Sequence, residues 1–231
     1  MDRLYTKLAE RKAGTVIAAV GSGGKTSCLK AIARKALPHK KTVLLTTTTH
    51  MYQEDAVTDL SHPKQVLSRL SASPLLFAGT KAGCGKIGPL PDRIMDCLPS
   101  LADLILVEAD GSRGLPMKIP ADYEPALPPN TDLVLILFGL SALDKPLSVV
   151  CHRWQMAVER FGWQPDAPVS VQMAALALKE CYLSPLAAQG VDTIVILNQA
   201  DTVSSCLAAE MVLLLEDEDV SVISLCGINN D

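Results

Sequence analysis

Residues 21–27, Gly-Ser-Gly-Gly-Lys-Thr-Ser, bring together the residue types that holding a phosphate group requires. Gly21, Gly23 and Gly24, with Ser22 among them, let backbone N–H groups converge on phosphate oxygens. Lys25 can reach the β- and γ-phosphates of a nucleotide, and the hydroxyl of Thr26 or Ser27 can ligate Mg²⁺. The turn closes the apolar run Val16-Ile17-Ala18-Ala19-Val20 and opens a segment in which Leu29, Ile32, Ala33, Ala36 and Leu37 fall on one helical face. A tight turn that merely contains lysine needs no such context, whereas a phosphate site at a helix amino terminus does.

Carboxylates and hydroxyls follow other apolar runs. Thr46-Thr47-Thr48-Thr49-His50 ends a second run, where hydroxyls such as that of Thr48 could ligate Mg²⁺ or position water and His50 could act as a general base, ligate a metal or simply be hydrogen-bonded. β-propensity alone also accounts for a threonine run. Leu104-Ile105-Leu106-Val107 leads into Glu108-Ala109-Asp110-Gly111, the layout of a Walker B strand whose acid holds Mg²⁺ directly or through water. Which of Glu108 and Asp110 would do so is open, and Asp110-Gly111 also suits a turn. Arg113 and Lys118 follow, cations placed to meet phosphate or an anionic substrate.

A further run, Thr193 to Leu197, ends in Asn198-Gln199-Ala200-Asp201. This is similar to the N-K-x-D element of GTPases, in which the acid accepts from two donors on one edge of guanine, donors that adenine lacks. Asp201 would read the base and Asn198 would fix the loop. Gln199 replaces the usual lysine, which leaves GTP against ATP open, and Asp201 would also serve as a plain helix cap. A second glycine loop, Gly79 to Lys86, could carry a substrate anion on Lys81 or Lys86 or a soft ligand on Cys84, or be a surface hairpin; His152-Arg153 could close the site from another element.

The elements that must position these residues alternate. Strands are expected at 16–20, 42–46, 75–78, 104–107, 133–138, 193–197 and 220–225, and helices at 27–37, 63–70, 92–98, 152–161, 169–180 and 203–215. Near-continuous apolar strands are covered on both faces, so the expected fold is α/β, a doubly wound, mostly parallel sheet in a three-layer sandwich like that of P-loop NTPases. Residues 1–231 would form a single nucleotide-binding domain, with one long loop, 108–130, dense in proline, glycine and charge and too long for a mere connection.

Composition narrows the partners. A net charge of −4 and a pI near 5.6 argue against a surface that tracks nucleic acid phosphates and favour a small charged ligand. Seven scattered cysteines without a C-x-x-C pair suit reduced thiols in a cytoplasm. A charged amino terminus, and no run near the ~20 apolar residues that span a bilayer, point to a cytoplasmic protein with no membrane partner.

Ala19 stands where the full G-x-x-x-x-G-K-[ST] pattern has its first glycine, and the shortened loop resembles that of the Mur ligases and of many small GTPases. The ordered set GSGGKTS, TTTTHM, VEADGSRGLPMKIPADYEP, CHR and NQAD resembles the YqeC family, from about Val16 to Asp201 and beyond, the long middle segment being its most specific part. That resemblance implies an accessory role in selenium cofactor biosynthesis, or in maturing selenium-dependent molybdenum hydroxylases, with a selenium or molybdopterin intermediate and the hydroxylase or its maturation factors as partners. The combined expectation is an Mg²⁺-dependent nucleoside triphosphatase, GTP favoured over ATP. An ATP-dependent small-molecule kinase or ligase and a non-catalytic nucleotide-gated binding module are the alternatives.

Overall fold

Near-continuous apolar runs become strands when both faces of their sheet are covered. The computed structural model describes residues 2–39, 41–52, 56–83, 85–216 and 218–224. Seven runs form one sheet: β1 (Thr15–Gly21), β2 (Val43–Thr47), β3 (Leu75–Phe77), β4 (Leu104–Glu108), β5 (Leu133–Gly139), β6 (Thr193–Asn198) and β7 (Val220–Val222), in the order β7-β6-β5-β1-β4-β2-β3. Every residue of β1, β2, β4 and β5 is buried, while the edge strands β3 and β7 are only partly so. The pairings of β4 with β1 and β2, of β2 with β3 and of β6 with β5 and β7 are all parallel. The fold is therefore α/β, a mostly parallel sheet with flanking helices, as its alternating pattern predicts. No helix among the described residues is long and apolar enough to cross a membrane.

Internal packing divides the chain into two compact units, one of residues 1–19, 26–111 and 124–133, the other of 20–25, 112–123 and 134–231. In the first, Val16 and Leu44 both face Ile105 across the ladder, so their side chains share one side of the sheet. That side is covered by Val66 and Leu70 of a helix at Pro63–Ala72 and by Ile94 and Met95 of a short one at Asp92–Met95. The helix expected over 92–98 stops at Met95 and gives way to a 3₁₀ turn at Leu98–Ser100, since the residue before Pro99 is disfavoured in α geometry. A helix at Asp2–Ala9, unforeseen in the charged amino terminus, buries Tyr5, Leu8 and Ala9.

In the second unit a helix at Val171–Leu178, capped by the Ser170 hydroxyl, packs on one at Ser205–Leu214, capped by Ser204. The helix expected from His152 begins only at Trp154 and runs to Phe161. Cys151–His152 instead pairs in parallel with Met117–Lys118, the His152 carbonyl accepts from the Ile119 N–H, and Arg153 turns the chain at φ 61. These ladder bonds take the backbone groups that a first helical turn would have used.

Candidate functional site

The glycine loop belongs to the second unit up to Lys25. Its shape depends on Gly21 and Gly23, at φ 81 and 86. A Cβ on Gly21 would lie 2.2 Å from the Leu137 carbonyl oxygen, and one on Gly23 would lie 2.4 Å from the Gly139 nitrogen, so only glycine fits either position. The Ser22 N–H donates to the Leu137 carbonyl at 2.8 Å and its hydroxyl to the Pro116 carbonyl at 2.9 Å. Two loop carbonyls are held by side chains. Lys25 Nζ, with only 4% of the residue exposed, donates to Gly21 O at 2.6 Å, and the buried amide of Asn198, at the end of β6, donates to Gly23 O at 2.5 Å. An ammonium held this far from water is costly unless hydrogen-bonded, and here it is.

Thr26, the next residue along the chain, belongs to the first unit with Glu108. Its hydroxyl donates to Glu108 Oε2 at 2.5 Å, whereas Ser27 is exposed on the helix Lys25–Ala36. Parallel register aligns Ala19, Glu108 and Thr47 at the carboxyl ends of β1, β4 and β2. The Thr47 hydroxyl and the Thr48 N–H both donate to the Glu108 carbonyl, at 2.8 and 3.1 Å. The buried hydroxyls of Thr46 and Thr48 have no hydrogen-bond partner among the described residues. One carboxylate and several hydroxyls are hard oxygen donors that fit Mg²⁺, which uses one or two protein carboxylates and takes its other ligands from water and phosphate. No group of three His, Cys, Asp or Glu side chains able to hold a metal occurs among the described residues. Asp110 is fully buried two residues beyond Glu108, where the Ala109 N–H donates to Ala19 O and Ala109 O accepts from Ala126 N.

The family model for the YqeC protein matches residues 17–155, more than half of the chain. The chain belongs to the YqeC family. A curated relative in Escherichia coli (strain K12), described as the uncharacterized protein YqeC, is 32% identical over 97% of this chain and 92% of its own length. Among solved structures, a GTPase from Pyrococcus abyssi in its apo form is 14% identical and covers 94% of this chain and 92% of its own, but its TM-score of 0.34 is too low to bear on fold or function.

In this YqeC-family chain the remaining sequence-selected residues fall into separate places. Lys118, 3% exposed, and His152 are register partners in the two-stranded ribbon of the second unit. Arg153 follows, its guanidinium 5.9 Å from the Tyr123 ring centroid and donating to the Tyr123 hydroxyl at 3.2 Å. Arg113 is exposed on a turn at φ 53. In the first unit His50 is exposed, and a Cβ on Gly88 would lie 3.7 Å from its ring, while Lys86 starts the strand Lys86–Gly88 that pairs with Met51–Tyr52 and Thr80–Lys81. The second glycine loop is thus a hairpin; Cys84 within it lies outside the described residues. Asp201 is exposed in the turn after β6 and accepts from the Ser224 hydroxyl. Gln199, at φ 62, turns its Oε1 back to accept from Ser141 at 2.6 Å. Pro116, Tyr123 and Ser141 escaped the sequence reading because each acts through a carbonyl, a ring or a hydroxyl that carries no motif.

Proposed function

We propose that this protein binds an Mg²⁺-nucleoside triphosphate and hydrolyses it, with GTP preferred to ATP. The observation that carries the reading is the 2.5 Å bond from Thr26 to Glu108 immediately after the buried Lys25: a loop hydroxyl joined to the acid of the neighbouring strand. The amides of Gly21, Ser22, Gly23 and Gly24, with Lys25, would cradle the β- and γ-phosphates. Thr26 and Glu108 would hold Mg²⁺, with Thr48 or Asp110 as further oxygen donors; when bound, the ion neutralises charge developing on the phosphate oxygens. Asp110 would orient water, His50 would accept its proton, and Arg113 would offset negative charge on the reacting group. Lys86 would serve the substrate side. Asp201 would read the base, and Asn198, bonded to Gly23 O, would tie that reading to the phosphate loop.

Calorimetric titration of GTP, ATP and their diphosphates, with and without Mg²⁺, tests this on wild type and Asp201→Asn. Selective GTP binding that the variant loses supports the reading. ATP binding indifferent to Asp201 discards guanine preference, and no binding of either nucleotide discards the whole. A cytoplasmic accessory role in maturing selenium-dependent molybdenum hydroxylases is proposed on family resemblance alone, and loss of such an enzyme's activity on deleting the gene would test it. A second reading is an ATP-dependent kinase or ligase in which Lys118 and His50 would serve the acceptor; a product other than nucleoside diphosphate and phosphate would establish it.

A further inference from the structure

The helix Val171–Leu178, continued by a π turn and Ser184–Ala188, leads back into β6, and Ser205–Leu214 leads back into β7. Both strands are parallel neighbours, so each helix runs antiparallel to the strand it feeds. The two crossovers step the same way along the order β5-β6-β7, and their common right hand puts both helices on one face of the sheet, parallel to one another. A hydrogen bond from Gln172 Nε2 to Glu210 Oε1 at 2.9 Å fixes their register. One turn on, three or four residues along each helix, that register brings Leu176 beside Leu213, 42% and 66% exposed. A further turn on stand Lys179, still in helical geometry as its helix ends, and Glu216, whose N–H donates to the Leu213 carbonyl at 3.4 Å.

This face is poor in charge for an outer layer. Val171–Leu178 carries no charged residue and Ser205–Leu214 only Glu210, whereas a helix that meets water turns a polar or charged stripe outward. Leucines placed in that stripe suit a surface that another surface covers.

We propose that a second copy of this chain docks on the two-helix face, about a two-fold axis parallel to the helices. Such an axis sets each helix against the other helix of the partner, level by level, so every contact occurs twice. Leu176 meets the partner's Leu213, and Lys179 meets the partner's Glu216. Gln172 meets the partner's Glu210, the amide using its second N–H and the carboxylate its second oxygen. Charge selects this occupant and this axis. Neither Lys179 nor Glu216 has an ion pair among the described residues, and an axis across the helices would instead set Glu210 against the partner's Glu216. Helices about 15 Å long and about 10 Å apart make a patch at the small end of specific interfaces, so the dimer is a weak one. Nothing in this docking rests on nucleotide binding.

Sedimentation velocity on the full chain without nucleotide, from about 1 to 500 μM, tests it. Expected is a concentration-dependent shift from 24.6 kDa toward twice that mass. Leu176→Glu and Leu213→Glu should each weaken the dimer by roughly tenfold or more. Both leucines are exposed, so neither change should disturb the fold, which circular dichroism checks. Lys179→Glu should weaken it by about fivefold or more, and adding Glu216→Lys should restore it to within about twofold of wild type. A chain that stays at 24.6 kDa throughout overturns the proposal, and so does a dimer that neither leucine variant weakens, which must dock through another face. A leucine-dependent dimer that Glu216→Lys fails to rescue overturns the two-fold arrangement.

Discussion

Gly23→Ala perturbs the glycine loop at a place where backbone conformation and close approach coincide. An L-residue at φ 86 carries a left-handed strain of roughly 1–2 kcal/mol. The new Cβ would also lie 2.4 Å from the Gly139 nitrogen and 2.5 Å from its Cα, backbone atoms at the end of β5 that cannot swing aside like a flexible side chain. Forcing them apart adds an overpacking cost of about 1–3 kcal/mol. Gly162→Ala is the control, because Gly162 ends the helix Trp154–Phe161 at φ 70 and an added Cβ there would meet nothing within 4 Å, so it should show the strain alone. For a chain of this size each kcal/mol lowers Tm by roughly 2–4 °C. Thermal melts should therefore place Gly23→Ala roughly 2–12 °C below Gly162→Ala, and GTP titration should show lost binding in the first and wild-type binding in the second. Equal melting temperatures with unchanged nucleotide affinity in both would refute the claim that Gly139 sets the shape of the loop.

Other outcomes follow from individual contacts. Thr26→Val and Glu108→Gln should each remove most of the Mg²⁺-dependent part of nucleotide affinity and leave the Mg²⁺-free part, as read by titrations with and without EDTA; an unchanged Mg²⁺ increment would contradict the Thr26–Glu108 site. Burial pushes the thiols of Cys28 and Cys151 up to about 12, whereas Cys206 is exposed. Iodoacetamide at neutral pH should label Cys206 in the native protein and reach Cys28 and Cys151 only on unfolding, which peptide mass mapping checks. The backbone N–H and hydroxyl of Thr42 donate to Asp103 and hold its carboxyl below the ordinary 3.8. A depressed folded value means that its contribution is complete above about pH 5 and fades as pH falls through that value, so Asp103→Asn should flatten the acid limb of the stability profile.

Six of the sheet strands were legible because each is an apolar run buried along its length or at its centre, and such runs are local in sequence; the edge strand β7, Val-Ser-Val, is legible by its valines, not by burial. Element ends were less so. Where Cys151–His152 leaves the helical pattern, the cause is a partner strand over thirty residues earlier in the chain, which no local periodicity records. The amino-terminal helix hid behind its charges, although Tyr5, Leu8 and Ala9 already lie at helical spacing. In the candidate site, Lys25, Thr26, Glu108 and Asn198 were readable because their types sit at the ends of strands. Ser22–Pro116 and Gln199–Ser141 were not, since a carbonyl acceptor belongs to every residue and only the fold selects one.

Lys25 and Asn198 fill similar roles in the resting loop, each donating to a glycine carbonyl, yet they should respond differently to removal. A carbonyl turned toward a ligand repels phosphate, so fixing Gly21 O and Gly23 O on side-chain donors would keep the proposed cradle positive. Asn198 is neutral and 1% exposed; Asn198→Ala leaves Gly23 O without its donor and opens a small void, which should cost about 1–3 kcal/mol of stability. Lys25→Met also leaves a carbonyl short of a donor, but it relieves the desolvation of a buried ammonium, and these terms oppose each other. Its stability should stay near that of wild type, whereas nucleotide affinity should fall by roughly tenfold to a hundredfold for the one or two charge-assisted bonds lost. Urea titrations beside nucleotide titrations separate the two cases. If Lys25→Met destabilises more than Asn198→Ala and binds nucleotide normally, the lysine is a structural brace, and the phosphate-binding role assigned to it is wrong.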